Sequence, residues 1–215
     1  MTIATAQMIS STLLIYPDSE LMAKREDLRV LANQLDPSWG GPLLKFLDAI
    51  STMTLDELQR HYVEIFDMRR RCSLFLTSWT HGDTRNRGMA LIYFKEIYKN
   101  SGIVLSAEEL PDHLAVVLEF AALIDPVEGN ALLGAHQAPI ELIKDALHSA
   151  KSIYASVLDA IVATLPPMTT EIRERASAIA LNGPPQEFVG LSGEVSIALE
   201  PYSSNISFIG DGAKV

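Results

Sequence analysis

Asp112 and His113 stand side by side behind a proline, in the run Glu109-Leu-Pro-Asp-His-Leu114. A carboxylate beside an imidazole can relay a proton, or it can accept hydrogen bonds from a ligand at a helix mouth. It can also do no more than complement the positive end of a helix. Seven residues further on, Glu119 interrupts an otherwise apolar stretch. A small helical enzyme using His113 with Asp112 or Glu119 as acid and base is therefore one reading. Against it, the chain has no Gly-x-Gly-x-x-Gly, no Walker-type phosphate loop, no Gly-x-Ser-x-Gly and no His-Glu-x-x-His. The five histidines, His61, His81, His113, His136 and His148, share no metal-ligand spacing. His81 and Asp83 flank Gly82, but a two-residue gap is a weak metal signal, and Asp83 reads better as a helix cap. The residues call for no metal, no cofactor and no catalytic group.

The second charged constellation is His81-Gly-Asp-Thr-Arg-Asn-Arg-Gly88. Arg85 and Arg87 sit at the start of a helix, where each cation costs about 0.3–1 kcal/mol unless a carboxylate offsets it. At 100° per residue Arg87 falls between Phe94 and Tyr98, on the apolar face with Ala90, Leu91, Tyr93 and Ile97. Arg85 falls on the polar side. A half-buried Arg87 needs a carboxylate, and a Glu on an apolar helix needs a cation. The expectation is an ion pair between Arg87 and Glu119 that ties two central helices together. Removing one partner of such a pair costs about 3–5 kcal/mol.

The elements that must position these residues are helical almost throughout, because the apolar spacing steps by three and four. Helices are expected over residues 6–16, 18–35 and 42–52. Thr54 and Glu57 form a Thr-x-x-Glu capping box that opens a helix with the stripe Leu55, Leu58, Tyr62, Ile65 and Phe66. That helix runs out near Asp67, where Arg69, Arg70 and Arg71 meet its negative end. A helix from Thr84 to Asn100 stops at Gly102. Pro111 reads as the first residue of a buried helix reaching Ile124, with Asp112 in its first turn. A short piece follows Pro126, and the longest helix is expected from Pro139 to Leu165, ended by Pro166 and Pro167. A weaker helix covers residues 169–181. The fold expected is all-α: a single helical-bundle domain of about eight helices over residues 1–181. Residues 182–215, rich in Gly and Pro, are expected to form a disordered or loosely attached tail, with one short strand conceivable at Val195, Ile197 and Leu199.

Composition narrows the function. The chain has 215 residues, is 48% apolar and carries a net charge of −10. Phosphate-backbone recognition needs a basic footprint, so nucleic acid is excluded as a partner. No stretch approaches the roughly 20 apolar residues of a membrane span. No Lys or Arg precedes Lys24, so a secretory signal is missing its positive region, and a cytoplasmic location is expected. The single cysteine, Cys72, can form no internal disulfide and reads as a small buried residue.

These segments carry a resemblance. Leu14-Ile-Tyr-Pro-Asp18, Tyr62-Val-Glu-Ile-Phe-Asp67, Arg71-Cys-Ser-Leu-Phe-Leu76, the Arg85–Arg87 run and the Pro-Asp-His element with Leu118 and Glu119 occur in one order over residues 13–122. In that order they resemble the NarJ family, the nitrate reductase molybdenum cofactor assembly chaperones or delta subunit, related to chaperones that proofread twin-arginine-exported molybdoenzymes. The resemblance implies a cytosolic chaperone, monomer favoured, with no catalytic activity. It implies binding of the N-terminal peptide of the nitrate reductase catalytic (alpha) subunit, assistance with molybdenum cofactor insertion and a delay of membrane docking. It assigns peptide contact to Tyr62, Leu110, Asp112 and His113, and with them Glu64, Asp67 and Arg85. A chaperone for another molybdoenzyme, or a helical scaffold, is the alternative within this reading.

Overall fold

The computed structural model describes residues 2–82, 84–105 and 110–182. Several helix starts are set by a local polar device. Helix α1 (Ile3–Leu14) is followed by α2 (Ser19–Ala32), where Asp18 accepts a hydrogen bond from the Leu21 amide at 2.8 Å. In α3 (Pro37–Ser51) Asp36 caps and Pro37 takes the first position, so the helix begins ahead of Pro42, which sits inside it. The Asp-Pro pair is a stronger start signal than the later proline. The expected capping box opens α4 (Leu55–Tyr62): Thr54 Oγ1 accepts from the Glu57 amide at 3.3 Å, and Glu57 Oε2 accepts from the Thr54 amide at 2.8 Å.

Beyond Tyr62 the helix loosens into a π-helical turn (Val63–Asp67), then a 3-10 turn (Arg70–Cys72) leads to the short α5 (Leu76–His81). Helix α6 (Arg85–Asn100) ends as anticipated: Gly102 takes φ +83° and the Ile103 amide returns to the Tyr98 carbonyl at 2.9 Å. Helices α7 (Leu114–Leu123), α8 (Pro126–Ala135), α9 (Gln137–Ser149), α10 (Ala155–Thr164) and α11 (Thr170–Asn182) complete the described residues.

The core forms where α7 and α10 both pack on α1, with α3 and α9 closing on α10. Helix α7 buries Leu114, Ala115, Val117, Leu118, Phe120 and Ala121 and leaves Glu119 and Leu123 on an exposed stripe. Helix α8 lies on α7 at very short range, where Gly129 leaves no room for a side chain. Two buried polar contacts fix α1 in place: Ser11 Oγ donates to the Ala115 carbonyl at 2.8 Å, and Gln7 Nε2 donates to Asn130 Oδ1 at 2.8 Å.

Three further expectations change. The long helix over residues 139–165 is two helices. Lys151 turns through φ +53°, and the Ser152 amide reaches back to the Leu147 carbonyl at 3.0 Å, which terminates α9. Tyr154, just past the break, sits in the core with 0% exposure. Second, α7 begins at Leu114, not at Pro111, because His113 is the cap and residues 112–114 pair with residues 74–76. Third, the described residues hold eleven α-helices rather than about eight, the six-residue α5 and the split at residues 150–154 among the additions. Among the described residues no helix is long and apolar enough to cross a membrane. Asp83, Glu109 and the tail past Asn182, with its conceivable strand, lie outside the described residues.

Candidate functional site

The site is built on a small crossing of two segments. The Leu76 amide donates to the Asp112 carbonyl at 3.0 Å and the Leu114 amide donates to the Leu74 carbonyl at 2.9 Å, so Phe75 and His113 face one another in an isolated antiparallel bridge. Their rings meet edge to face at 5.1 Å. The Tyr98 hydroxyl of α6 donates to the Pro111 carbonyl at 2.7 Å, and burial pushes its pKa up. One corner thus joins α5, α6 and α7.

Asp112 occupies the inside of that corner with 0% exposure. Its Oδ2 accepts from the Thr77 amide at 3.1 Å and from Thr77 Oγ1 at 2.5 Å. Its Oδ1 is buried with no hydrogen-bond partner among the described residues. Thr77 Oγ1 in turn accepts from Arg87 Nε at 3.3 Å, giving a relay from Arg87 through Thr77 to Asp112. The Arg87 guanidinium also lies 5.9 Å from the centre of the Phe75 ring.

His113 Nδ1 accepts from the Ala115 amide at 3.3 Å, which places the ring proton of the neutral form on Nε2. Burial, against a weaker opposing pull from Asp112, holds its pKa below the usual histidine value. Leu110, three residues earlier, is 41% exposed and forms the apolar lip.

The expected ion pair between Arg87 and Glu119 is absent. Glu119 lies on the exposed side of α7, while Arg87 turns toward Thr77 and Phe75. The physical reason is the later start of α7. Stabilisation at this corner comes from Asp112, which the extended bridge turns inward, whereas Glu119 on the helix proper can reach water.

Tyr62, Glu64 and Asp67 form a second group at the end of α4. The Tyr62 hydroxyl donates to the Leu14 carbonyl at 3.1 Å, and burial raises its pKa to about 12. Its ring packs with Phe66 at 4.7 Å, Tyr16 at 5.5 Å and Tyr154 at 5.8 Å, so it is largely a core residue. Glu64 is exposed and pairs with Arg69 at 2.9 Å, and Asp67 is exposed. Tyr62, Glu64 and Asp67 make no hydrogen bond, ion pair or ring contact with Leu110, Asp112 or His113. Arg85 is exposed on α6.

A third feature lies beside the 3-10 turn. Arg69, Arg70 and Arg71 form one wall of an open groove of about 740 Å³, and α9 and α11 form the other with Leu142, Ala146 and Ile179. The available signal was three consecutive cations in an acidic chain. Nothing in this arrangement prepares a nucleophile or a proton transfer: His113 Nδ1 accepts from a backbone amide, and Asp112 Oδ2 is held by Thr77. Among the described residues no three His, Cys, Asp or Glu side chains gather as a metal site.

The helical architecture has a solved counterpart. A solved chain from Archaeoglobus fulgidus, described as a redox enzyme maturation protein, superposes with a TM-score of 0.57 at 20% identity, covering 75% of this chain and 93% of that one. The family described as nitrate reductase delta subunit matches residues 32–158, and the chain belongs to that family. Its relatives include NarJ of Bacillus subtilis, 30% identical over 72% of this chain and 85% of that protein. The nitrate reductase molybdenum cofactor assembly chaperone NarJ of Escherichia coli is 32% identical over 72% of this chain and 67% of its own length. The nitrate reductase-like protein NarX of Mycobacterium tuberculosis is 39% identical over 72% of this chain, but the match spans only 23% of NarX. The NarJ names describe assembly rather than catalysis.

Proposed function

We propose that this chain is a cytosolic chaperone for the catalytic subunit of a respiratory nitrate reductase. It binds that subunit's N-terminal peptide and holds the subunit open for molybdenum cofactor insertion before membrane docking. The observation that carries this is membership of the delta subunit family over residues 32–158, together with the NarJ relatives named for cofactor assembly. The cofactor is the client's cargo and requires no site in this chain. A chaperone of this kind acts by binding the immature client better than the finished one, so no catalytic group is needed.

The corner suits one end of an amphipathic peptide. Leu110 offers an exposed apolar contact, and His113 has a ring nitrogen not used in capping. The acidic balance of the chain favours a cationic peptide. Asp112 works from beneath, orienting the corner through Thr77 rather than meeting solvent. Glu64, Asp67 and Arg85 supply exposed charge, and Tyr62 supports the second cluster from the core.

The decisive experiment has two arms. Calorimetry with a synthetic N-terminal peptide of the catalytic subunit tests binding, and reductase activity with cofactor content in a strain lacking this chain tests purpose. Saturable binding and an inactive, cofactor-poor reductase are expected. Normal, cofactor-loaded reductase in that strain overturns the chaperone reading. Unchanged affinity in both Leu110→Asp and His113→Ala moves the peptide site elsewhere.

A further inference from the structure

The turn between α9 and α10 closes a small pocket against α3. Lys45 of α3 stands on one side, His148 of α9 and Lys151 of the turn on the other, and the space between them is about 290 Å³. Among the described residues no Asp or Glu lines it. It shares no residue with the arginine groove or with the corner around Asp112.

Two lysines on one pocket repel each other unless something negative lies between them. The carboxylates nearest in sequence and fold are already engaged. Asp48, one turn from Lys45 on α3, is held by Arg29, and Asp159 of α10 is held by His148 at 2.8 Å. Asp145, also on α9, lines the arginine groove instead. The side chains of Lys45 and Lys151 make no hydrogen bond or ion pair among the described residues. On a molecule of net charge −10, two cations left together without a carboxylate are unexpected.

The backbone points the same way. Lys151 is the one non-glycine residue with positive φ among the described residues, at +53°. That left-handed position after a helix is the usual place of glycine, because a Cβ there crowds the neighbouring backbone. Lysine holds it at a cost in stability, so the side chain is what the position requires.

We infer that Lys45 and Lys151 hold a phosphate group in this pocket, its oxygens lying between the two ammonium groups. A carboxylate would offset one lysine only. A phosphate group carries about −1.5 to −2 at neutral pH and has three acceptor oxygens, enough for both. His148, turned to Asp159, supplies a wall rather than a third charge. The volume stands at the lower end of small-molecule sites, which leaves room for the phosphate and a short organic group. Occupancy ties α3 to the turn ahead of α10, so the loaded chain should also melt higher.

The test is a phosphorus-31 NMR titration of the full-length chain at about pH 7.5, with inorganic phosphate and glycerol 3-phosphate as probes and ionic strength fixed by sodium chloride. Saturable binding of at least one probe is expected. Lys45→Gln should weaken it about tenfold, as one charged hydrogen bond is lost. Lys151→Gly should weaken it at least as much, yet raise the thermal midpoint in phosphate-free buffer by about 2–4 °C through relief of the backbone. Loss of binding in that variant is then not loss of fold. Lys95→Gln removes the same charge from an exposed position on α6 outside the pocket and should change nothing. Tighter binding of the ester assigns the site to a phosphorylated compound, and tighter binding of the free ion assigns it to phosphate itself. No saturable binding of either probe, equal weakening by Lys95→Gln, or unchanged affinity in Lys151→Gly overturns the proposal. The inference goes beyond the chaperone reading and does not rest on it: no client is present, so either can fail while the other stands.

Discussion

Two glycines on α8 should respond to alanine with opposite signs. A Cβ built on Gly129 would stand 2.3 Å from Ala121 Cα, 2.5 Å from Ala121 Cβ and 2.8 Å from the Ala121 amide nitrogen. Carbon atoms in contact prefer about 3.5–4.0 Å, so α8 would have to retreat from α7 by about 1 Å along its whole face. The obstacle is mostly backbone, which has no rotamer to change. Overpacking costs about 1–3 kcal/mol, while exchanging a helical glycine for alanine returns at most about 1 kcal/mol. Gly129→Ala should therefore destabilise the chain by about 1–2 kcal/mol. At Gly134 nothing lies within 4 Å of the same imagined atom, and Gly134→Ala should stabilise by about 0.5–1 kcal/mol through the unfolded chain. Urea unfolding followed by circular dichroism measures both, with unchanged slopes confirming that stability alone has moved. If the two variants shift in the same direction, the close approach of α7 and α8 is not the constraint described, and the reasoning fails.

Other perturbations test the corner and the break between α9 and α10. Asp112→Ala should cost about 2–4 kcal/mol, since it leaves the Thr77 amide and hydroxyl without their acceptor, whereas Asp112→Asn keeps a carbonyl oxygen there and should cost under about 1.5 kcal/mol. Equal losses in urea unfolding would contradict that account. His113 and His136 both have pKa values lowered chiefly by burial. The unfolded chain therefore binds protons first, and stability, complete above about pH 6.5, should fall as pH drops through that value toward the depressed folded ones. A urea midpoint that stays flat from pH 7.5 to 5.5 speaks against it. Leu110→Asp should weaken client-peptide binding about tenfold in calorimetry without moving the thermal midpoint, as expected for an exposed anchor. Ser152→Ala removes the hydroxyl that contacts His61 Nε2 at 3.0 Å and accepts from the Tyr154 amide at 3.3 Å, and should cost about 1–2 kcal/mol in the same unfolding assay.

Local signals in the sequence were reliable wherever one residue's chemistry decides the outcome. The Thr54–Glu57 box, the Gly102 stop and the largely buried α7 each appear in the structure for the reasons their side chains suggest. Long-range competition was not legible. The seam from Ile140 to Ile161 has helical spacing, yet the backbone ladder breaks within it and Tyr154 packs beside Phe46, Phe66 and His61. Asp112 looked like a first-turn residue because nothing local announces that residues 74–76 will pair with residues 112–114. From that one unforeseen bridge follow the inward Asp112, the outward Glu119 and the lost ion pair. The groove is a product of packing between α9, α11 and the 3-10 turn, so only its charge could have been noticed in advance.

The position of α1 has a consequence for how the chain comes into being. Its main partners are α7 and α10, so a helix synthesised well ahead of both is among the last to be fully satisfied. Translation at about 5–20 residues per second separates the appearance of α1 from that of α10 by roughly 8–30 s. For that interval Ile9, Leu13 and Leu14, all buried at the end, lack their main apolar partners and can meet only α2 and α3. The amino-terminal half cannot lock as a unit on its own. Folding must wait for the stretch beyond Tyr154 and then close around α1 as a late, long-range event, leaving the nascent chain briefly in need of the same protection that its family gives to others.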